Sequence, residues 1–153
     1  MPNEIKLKDI AVATFTITLA SLATGSARAS ASVDNSTTDY PGANVFLKIV
    51  SGAVAPTAGT LYEVYLLKHD GTIGTDGWAG IDAAIIIENA PMLATIVVTA
   101  TTAKAFYVEI DTACMGDLGA TWGIAVKNSS GQALSATETD HRKAYKYYVP
   151  EIN

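Results

Sequence analysis

Two histidines stand beside aspartates, at His69-Asp70 and Asp140-His141, in a chain rich in serine. Such pairs are the raw material of a hydrolytic triad, in which an imidazole oriented by a carboxylate takes the proton of a serine hydroxyl. Adjacency in sequence does not set a base on a nucleophile, and no Gly-x-Ser-x-Gly elbow presents one. The sequence therefore predicts exposed or loop histidines and a protein that is not an enzyme. Asp70, Asp76 and Asp82 lie among Gly71, Gly74, Gly77 and Gly80 and offer oxygens to a hard cation. They lack the alternate spacing and closing bidentate glutamate of a calcium loop, so they read as turn aspartates. One cysteine and two distant histidines give no zinc spacing. No metal and no cofactor are expected, and Cys114 is expected to be a small buried side chain.

The tyrosines Tyr40, Tyr62, Tyr65, Tyr107, Tyr145, Tyr147 and Tyr148 offer rings on which a sugar could stack. Alternate tyrosines on strands more often cover a sandwich with their rings and leave the hydroxyl to water. Lys146, set between Tyr145 and Tyr147, is too isolated to make a nucleic-acid stacking platform. Ten basic residues against 15 acidic ones, a net charge of -5, leave no basic stripe for phosphate, and direct nucleic-acid binding is not expected. Charged residues are only 16% of the chain while 49% is hydrophobic, which predicts association with other subunits.

At 153 residues the chain is the size of one domain and can bury roughly 68–70% of its unfolded surface without a staple. Lys6 and Lys8 before Ile10–Ala23 and Ala27-Arg28-Ala29 imitate a signal peptide. The alternation of Thr14, Thr16 and Thr18 with Ala13, Phe15, Ile17 and Leu19 instead has the period of a half-buried strand. No stretch is long enough for a transmembrane helix, and no membrane partner is expected.

Period-2 patterns bounded by turn residues recur from end to end. Strands are expected over Val12–Leu19, Ala27–Val33, Val45–Val50, Leu61–Lys68, Leu93–Thr99, Ala105–Asp111, Trp122–Val126 and Ala144–Val149, with Val45–Val50 and Leu61–Lys68 forming a hairpin or neighbouring members of one sheet. Pro150, without an N–H to donate, is expected to stop the last ladder. The expected fold is all-β, an antiparallel β-sandwich of about eight strands, with uneven loops favouring a jelly roll. An N-terminal arm over residues 1–11, free to add itself to a neighbour, would precede a single domain over residues 12–153.

The connection from His69 to Pro91 is long for a compact sandwich, which marks it as functional or as containing an element of its own. Residues Asp82–Asn89 could supply one or two helical turns. Trp78 reads either as an exposed anchor or as a cap on the core. Asp70, Asp76, Trp78, Ile85 and Ile86 from this loop, with Arg28, are the candidate interface residues.

Three stretches carry a resemblance. Leu19–Asn35 (LASLATGSARASASVDN), Val45–Leu67 (VFLKIVSGAVAPTAGTLYEVYLL) and Trp122–Leu134 (WGIAVKNSSGQAL) resemble the strands and turns of small structural proteins of tailed bacteriophages. In that pattern the arginine of the second strand is followed by glutamine, where Ala29 stands here. The resemblance implies a β-sandwich head decoration or cement protein on the outer surface of the virion capsid, assembled in the host cytoplasm. Its implied partners are the major capsid protein and two further copies of itself in a homotrimer. The alternative is a tail, fibre or baseplate module that binds a host-surface glycan.

Overall fold

The computed structural model describes residues 5–152. Their eleven strands are β1 (Ile5–Asp9), β2 (Ala13–Thr14), β3 (Ala27–Ala29), β4 (Val33–Asp34), β5 (Gly42–Val50), β6 (Leu61–His69), β7 (Ala83–Ile85), β8 (Met92–Val97), β9 (Ala105–Asp111), β10 (Thr121–Asn128) and β11 (Arg142–Ile152). One antiparallel sheet runs β1-β11-β5-β9 with β2 also on β11, and the other runs β7-β3-β10-β6-β8 with β4 also on β10.

The order follows from four nested pairs, β2 with β11, β3 with β10, β5 with β9 and β6 with β8. A ribbon of such pairs, wound so that successive pairs fall in opposite sheets, is a jelly roll, and β11–β5 and β10–β6 contacts join the pairs within each sheet. The expected fold is therefore the observed one. The winding corrects one neighbour relation. β5 and β6 follow each other in the chain but lie in opposite sheets, because the ten-residue span 51–60 crosses the sandwich instead of turning back on it.

Alternation puts Val45, Leu47 and Ile49 of β5, Tyr62, Val64 and Leu66 of β6, and Trp122, Ile124 and Val126 of β10 into one core. Phe15, Ile17 and Leu19 join them as the period predicts, yet only Ala13–Thr14 is laddered. After Phe15, whose amide still donates to Lys143 O of β11, the chain leaves for the other sheet, where Ala31 N donates to Thr16 O. The amides of Leu19 and Ala20 find the Glu138 carboxylate at 2.9 and 2.7 Å in place of a strand. The second expected strand is likewise broken into β3 and β4, since Ser30 turns inward and its hydroxyl accepts from Ile124 N.

Other expectations are corrected. Cys114 is exposed, because Thr112 takes the inward position of the turn after β9, where its hydroxyl accepts from Ala43 N. Pro150 does not end β11, which runs on beside β1 with Pro150 opposite Leu7. β5 has ended at Gly42 opposite Tyr148, so β11 has one neighbour there and tolerates a missing donor. Residues 5–9, expected as part of an arm, are β1 at the edge of their own sheet. His141 is buried and its Nδ1 accepts from Val50 N at 3.2 Å, so burial depresses its pKa. The Ser135 hydroxyl donates to Asp140 at 2.6 Å, and the imidazole meets Ser135 at its carbonyl and not at its hydroxyl. The hydroxyl is thus held by the carboxylate and not by a base.

Candidate docking edge

The segment between β6 and β8 starts in a turn closed by Asp70, whose carboxylate accepts from Thr72 N and Ile73 N. It then makes a 3-10 turn over Thr75–Gly77, in which Asp76 has the left-handed φ of 52°. Aspartate tolerates that conformation better than most residues. Its carboxylate accepts from the amides of Glu88, Asn89 and Ala90 at 3.0, 2.8 and 2.9 Å, tying the start of the loop to its end. Partial burial pushes the Asp76 carboxyl up, and these three hydrogen bonds outweigh it, so its pKa sits below the usual carboxylate value.

Trp78 is the second fastener. It is 3% exposed, its Nε1 donates to Ser30 O at 2.9 Å, and it packs with Ala29, Tyr65, Leu67, Ala90 and Ala125 in a small core behind the sheet. Trp78 is thus buried and is no exposed anchor, but it sits in this second cluster and not at an end of the main core. Beyond it, Ser32 N donates to Gly80 O and leads into Asp82.

Asp82 is the third. Arg28 Nε donates to its carboxylate at 2.5 Å, Thr18 donates through its hydroxyl at 2.6 Å and its amide at 3.2 Å, and Arg28 also reaches the Asp82 carbonyl. Burial raises the Asp82 pKa, but the bonds from Arg28 and Thr18 prevail and hold it low; the bond to Asp82 in turn raises that of Arg28. The expected helical turns at Asp82–Asn89 are absent. The segment is extended, because β3 offers a free edge and β7 takes it, with Ala27 opposite Ile85, Arg28 opposite Ala84 and Ala29 opposite Ala83.

β7 is the last strand of its sheet, and no described residue pairs with its outer side. Ile85 and Ile87 turn back toward the small core, while Ile86 is 78% and Ile81 59% exposed. A hollow of about 270 Å³ lies between Trp78, Ile81, Ala83 and Ile85, and one of about 390 Å³ between Ala27, Ile85, Ile87 and Lys127. Five of the six candidate residues thus meet at one edge: Arg28, Asp76 and Trp78 hold it from behind, and Ile85 and Ile86 form it. Asp70 stands apart, at a hollow beside His69 and Asp117. Ile81, Asp82 and Thr18 also belong to the edge, though none of them is among the candidate interface residues and Asp82 reads in the sequence only as a turn aspartate. The alternation of Asp82, Ala84 and Ile86 with Ala83, Ile85 and Ile87 was the available signal.

Among the described residues no group of histidine, cysteine and carboxylate side chains is disposed to hold a metal ion. The edge can pair backbone with backbone and bury isoleucine side chains, which is binding chemistry. No family model, curated protein or solved structure matches the chain.

Two of the three fasteners, Asp76 and Asp82, define a pH dependence. Because the folded-state pKa values of Asp76 and Asp82 are depressed, their stabilisation is complete above the ordinary carboxylate value and is lost as pH falls through the depressed ones. Hydrogen-exchange protection over residues 76–90 is expected to hold at neutral pH and collapse in acid before the central strands open. Asp76→Asn, which keeps a residue tolerant of positive φ, should weaken the segment by about 1–2 kcal/mol at neutral pH and flatten that acid dependence. Unchanged exchange in the variant would show that the carboxylate is not the fastener.

Proposed function

We propose that this chain is a decoration protein of a tailed-bacteriophage head, which docks on the major capsid protein at the outer capsid surface and, as a homotrimer at local three-fold positions, bridges neighbouring shell subunits. The observation that carries the reading is the β7 edge. A strand with one free side, flanked by the exposed Ile81 and Ile86, is an aggregation hazard in a free monomer, and here it is fastened by Asp76, Trp78 and Asp82. A preorganised apolar edge loses little entropy on docking, and three copies acting together turn modest contacts into firm attachment.

The fold supports the same reading. The stretches that resemble phage structural proteins come together, with β10 lying between β3 and β6 and with β5 facing them across the core. Cement action requires stiffness and adhesive area, and a two-sheet sandwich with an anchored edge loop supplies both.

The test uses shells assembled without the protein. Wild-type chain is expected to bind them saturably at symmetry-related positions and to raise their resistance to heat. Ile81→Asp combined with Ile86→Asp should leave the folded domain unchanged and weaken shell binding at least tenfold, since each fully buried isoleucine contributes about 1.5–3 kcal/mol. Absence of binding by the wild type would overturn the decoration reading, and undiminished binding by the double variant would overturn the assignment to β7.

A further inference from the structure

The outer face of the other sheet carries a second surface, remote from β7 in the strand order. Lys48 in β5 stands directly between Arg142 of β11 and Tyr107 of β9, and in the next row Phe46 stands between Ala144 and Glu109. Over these rows lies a groove of about 380 Å³ lined by Phe46, Lys48, Tyr107, Glu109 and Arg142, with Val12 and Lys146 also bordering it. That volume lies within the range of small-ligand sites, about 300–1,000 Å³.

Two features of the groove run against folding alone. Like charges directly opposite each other on neighbouring strands are destabilising, yet Arg142 and Lys48 face each other, and neither makes an ion pair or hydrogen bond among the described residues. Beside them Tyr107 is 72% exposed, although the other six tyrosines, Tyr40, Tyr62, Tyr65, Tyr145, Tyr147 and Tyr148, are wholly or partly buried. A pair of unpaired cations in a chain of net charge -5, next to an open aromatic ring, defines an anion site with an apolar floor.

We propose that this groove binds an acidic saccharide, a sugar bearing a carboxylate. Arg142 and Lys48 receive the carboxylate, with the guanidinium able to engage both oxygens. The C–H face of the ring lies on Tyr107 and Phe46, and Glu109 accepts from sugar hydroxyls. Glu109 is what separates this ligand from the other anions. A phosphodiester backbone offers Glu109 no hydroxyl to accept from, whereas a hydroxyl-rich ligand uses Glu109 as a partner. All the groups stand on three adjacent strands, so the site is positioned without loop ordering.

The test titrates the isotope-labelled chain with trigalacturonate, neutral galactotriose, a glutamate trimer and single-stranded oligothymidylate, following amide shifts. Trigalacturonate is expected to saturate shifts confined to β5, β9 and β11. Galactotriose, lacking the carboxylates, should bind roughly tenfold more weakly or not at all. Tyr107→Ala and Arg142→Gln should each weaken trigalacturonate binding roughly tenfold with unchanged thermal midpoints, and only Arg142→Gln should reduce its salt dependence. Glu109→Gln should weaken the saccharide and leave the glutamate trimer unaffected. Ile86→Asp, on the other sheet, should change nothing. Equal affinity for the glutamate trimer or the oligonucleotide would overturn the saccharide assignment in favour of a general anion surface, and absence of shifts in these strands would overturn the site.

Discussion

Replacing Trp122 by alanine is expected to remove about 3–5 kcal/mol of folding stability, which is a large part of what a domain of this size possesses. The indole is wholly buried at the centre of an aromatic cluster. Its ring centroid lies 5.3 Å from Phe15 in an edge-to-face contact and 5.4 Å from Tyr145, and its Nε1 donates to the Tyr147 hydroxyl at 2.8 Å. Phe15 comes from the segment that crosses between sheets, Trp122 from β10, and Tyr145 and Tyr147 from β11, so one side chain joins both layers. Burial pushes the Tyr147 phenol up to about 12, and it stays protonated throughout the neutral range. Urea denaturation of Trp122→Ala should show a lowered midpoint with an unchanged slope. Trp122→Phe keeps most of the packing and strips the donor from a buried hydroxyl, for about 1–2 kcal/mol. Equal losses in the two variants would mean that the hydrogen bond, and not the cluster, joins the sheets.

The aromatic cluster was legible in outline because strand periodicity is a local property. Phe15, Ile17 and Leu19 alternate in the sequence and are buried in the structure even where the ladder stops after Thr14. The pairing was not legible to the same degree. β10 meets β3 across more than ninety intervening residues, and nothing in either segment names the other. That is also why β5 and β6 looked like partners: chain proximity is visible in a sequence and a sheet-to-sheet crossing is not. Side chains that replace backbone partners were hidden for a related reason. Glu138 receives the amides of Leu19 and Ala20 from over a hundred residues away, so a failed strand reads the same as a formed one until the acceptor is seen. The loop residues Asp76 and Asp82 were noticed for their chemistry as cation ligands. Their role is to hold β7, and it depends on amides at Glu88, Asn89 and Ala90 and on Thr18, none of which composition connects to them.

Trp78→Ala is expected to be nearly as costly as the Trp122 change in contact energy, about 3–5 kcal/mol for a buried tryptophan, but to express it differently. Trp122 belongs to the common core, so its loss lowers the stability of the whole sandwich. Trp78 holds one loop against the back of one sheet, and that loop can leave while the sandwich stays folded. Protection from hydrogen exchange should therefore vanish over residues 70–91, including β7, with β5, β6 and β10 retaining most of theirs. Shell binding should fall with it even though Ile81 and Ile86 are untouched, because a floating edge must be ordered on docking. Gly123 provides the independent check. A Cβ there would meet the Trp78 ring at 2.8 Å and the Ser30 hydroxyl at 2.6 Å, so Gly123→Ala in the wild type must displace both of them, at about 1–3 kcal/mol. Without the indole the methyl group gains room on one side and keeps its conflict with Ser30 on the other. The cost of Gly123→Ala should then shrink in the Trp78→Ala background without disappearing, and strict additivity would show that the ring is not seated on Gly123 in solution.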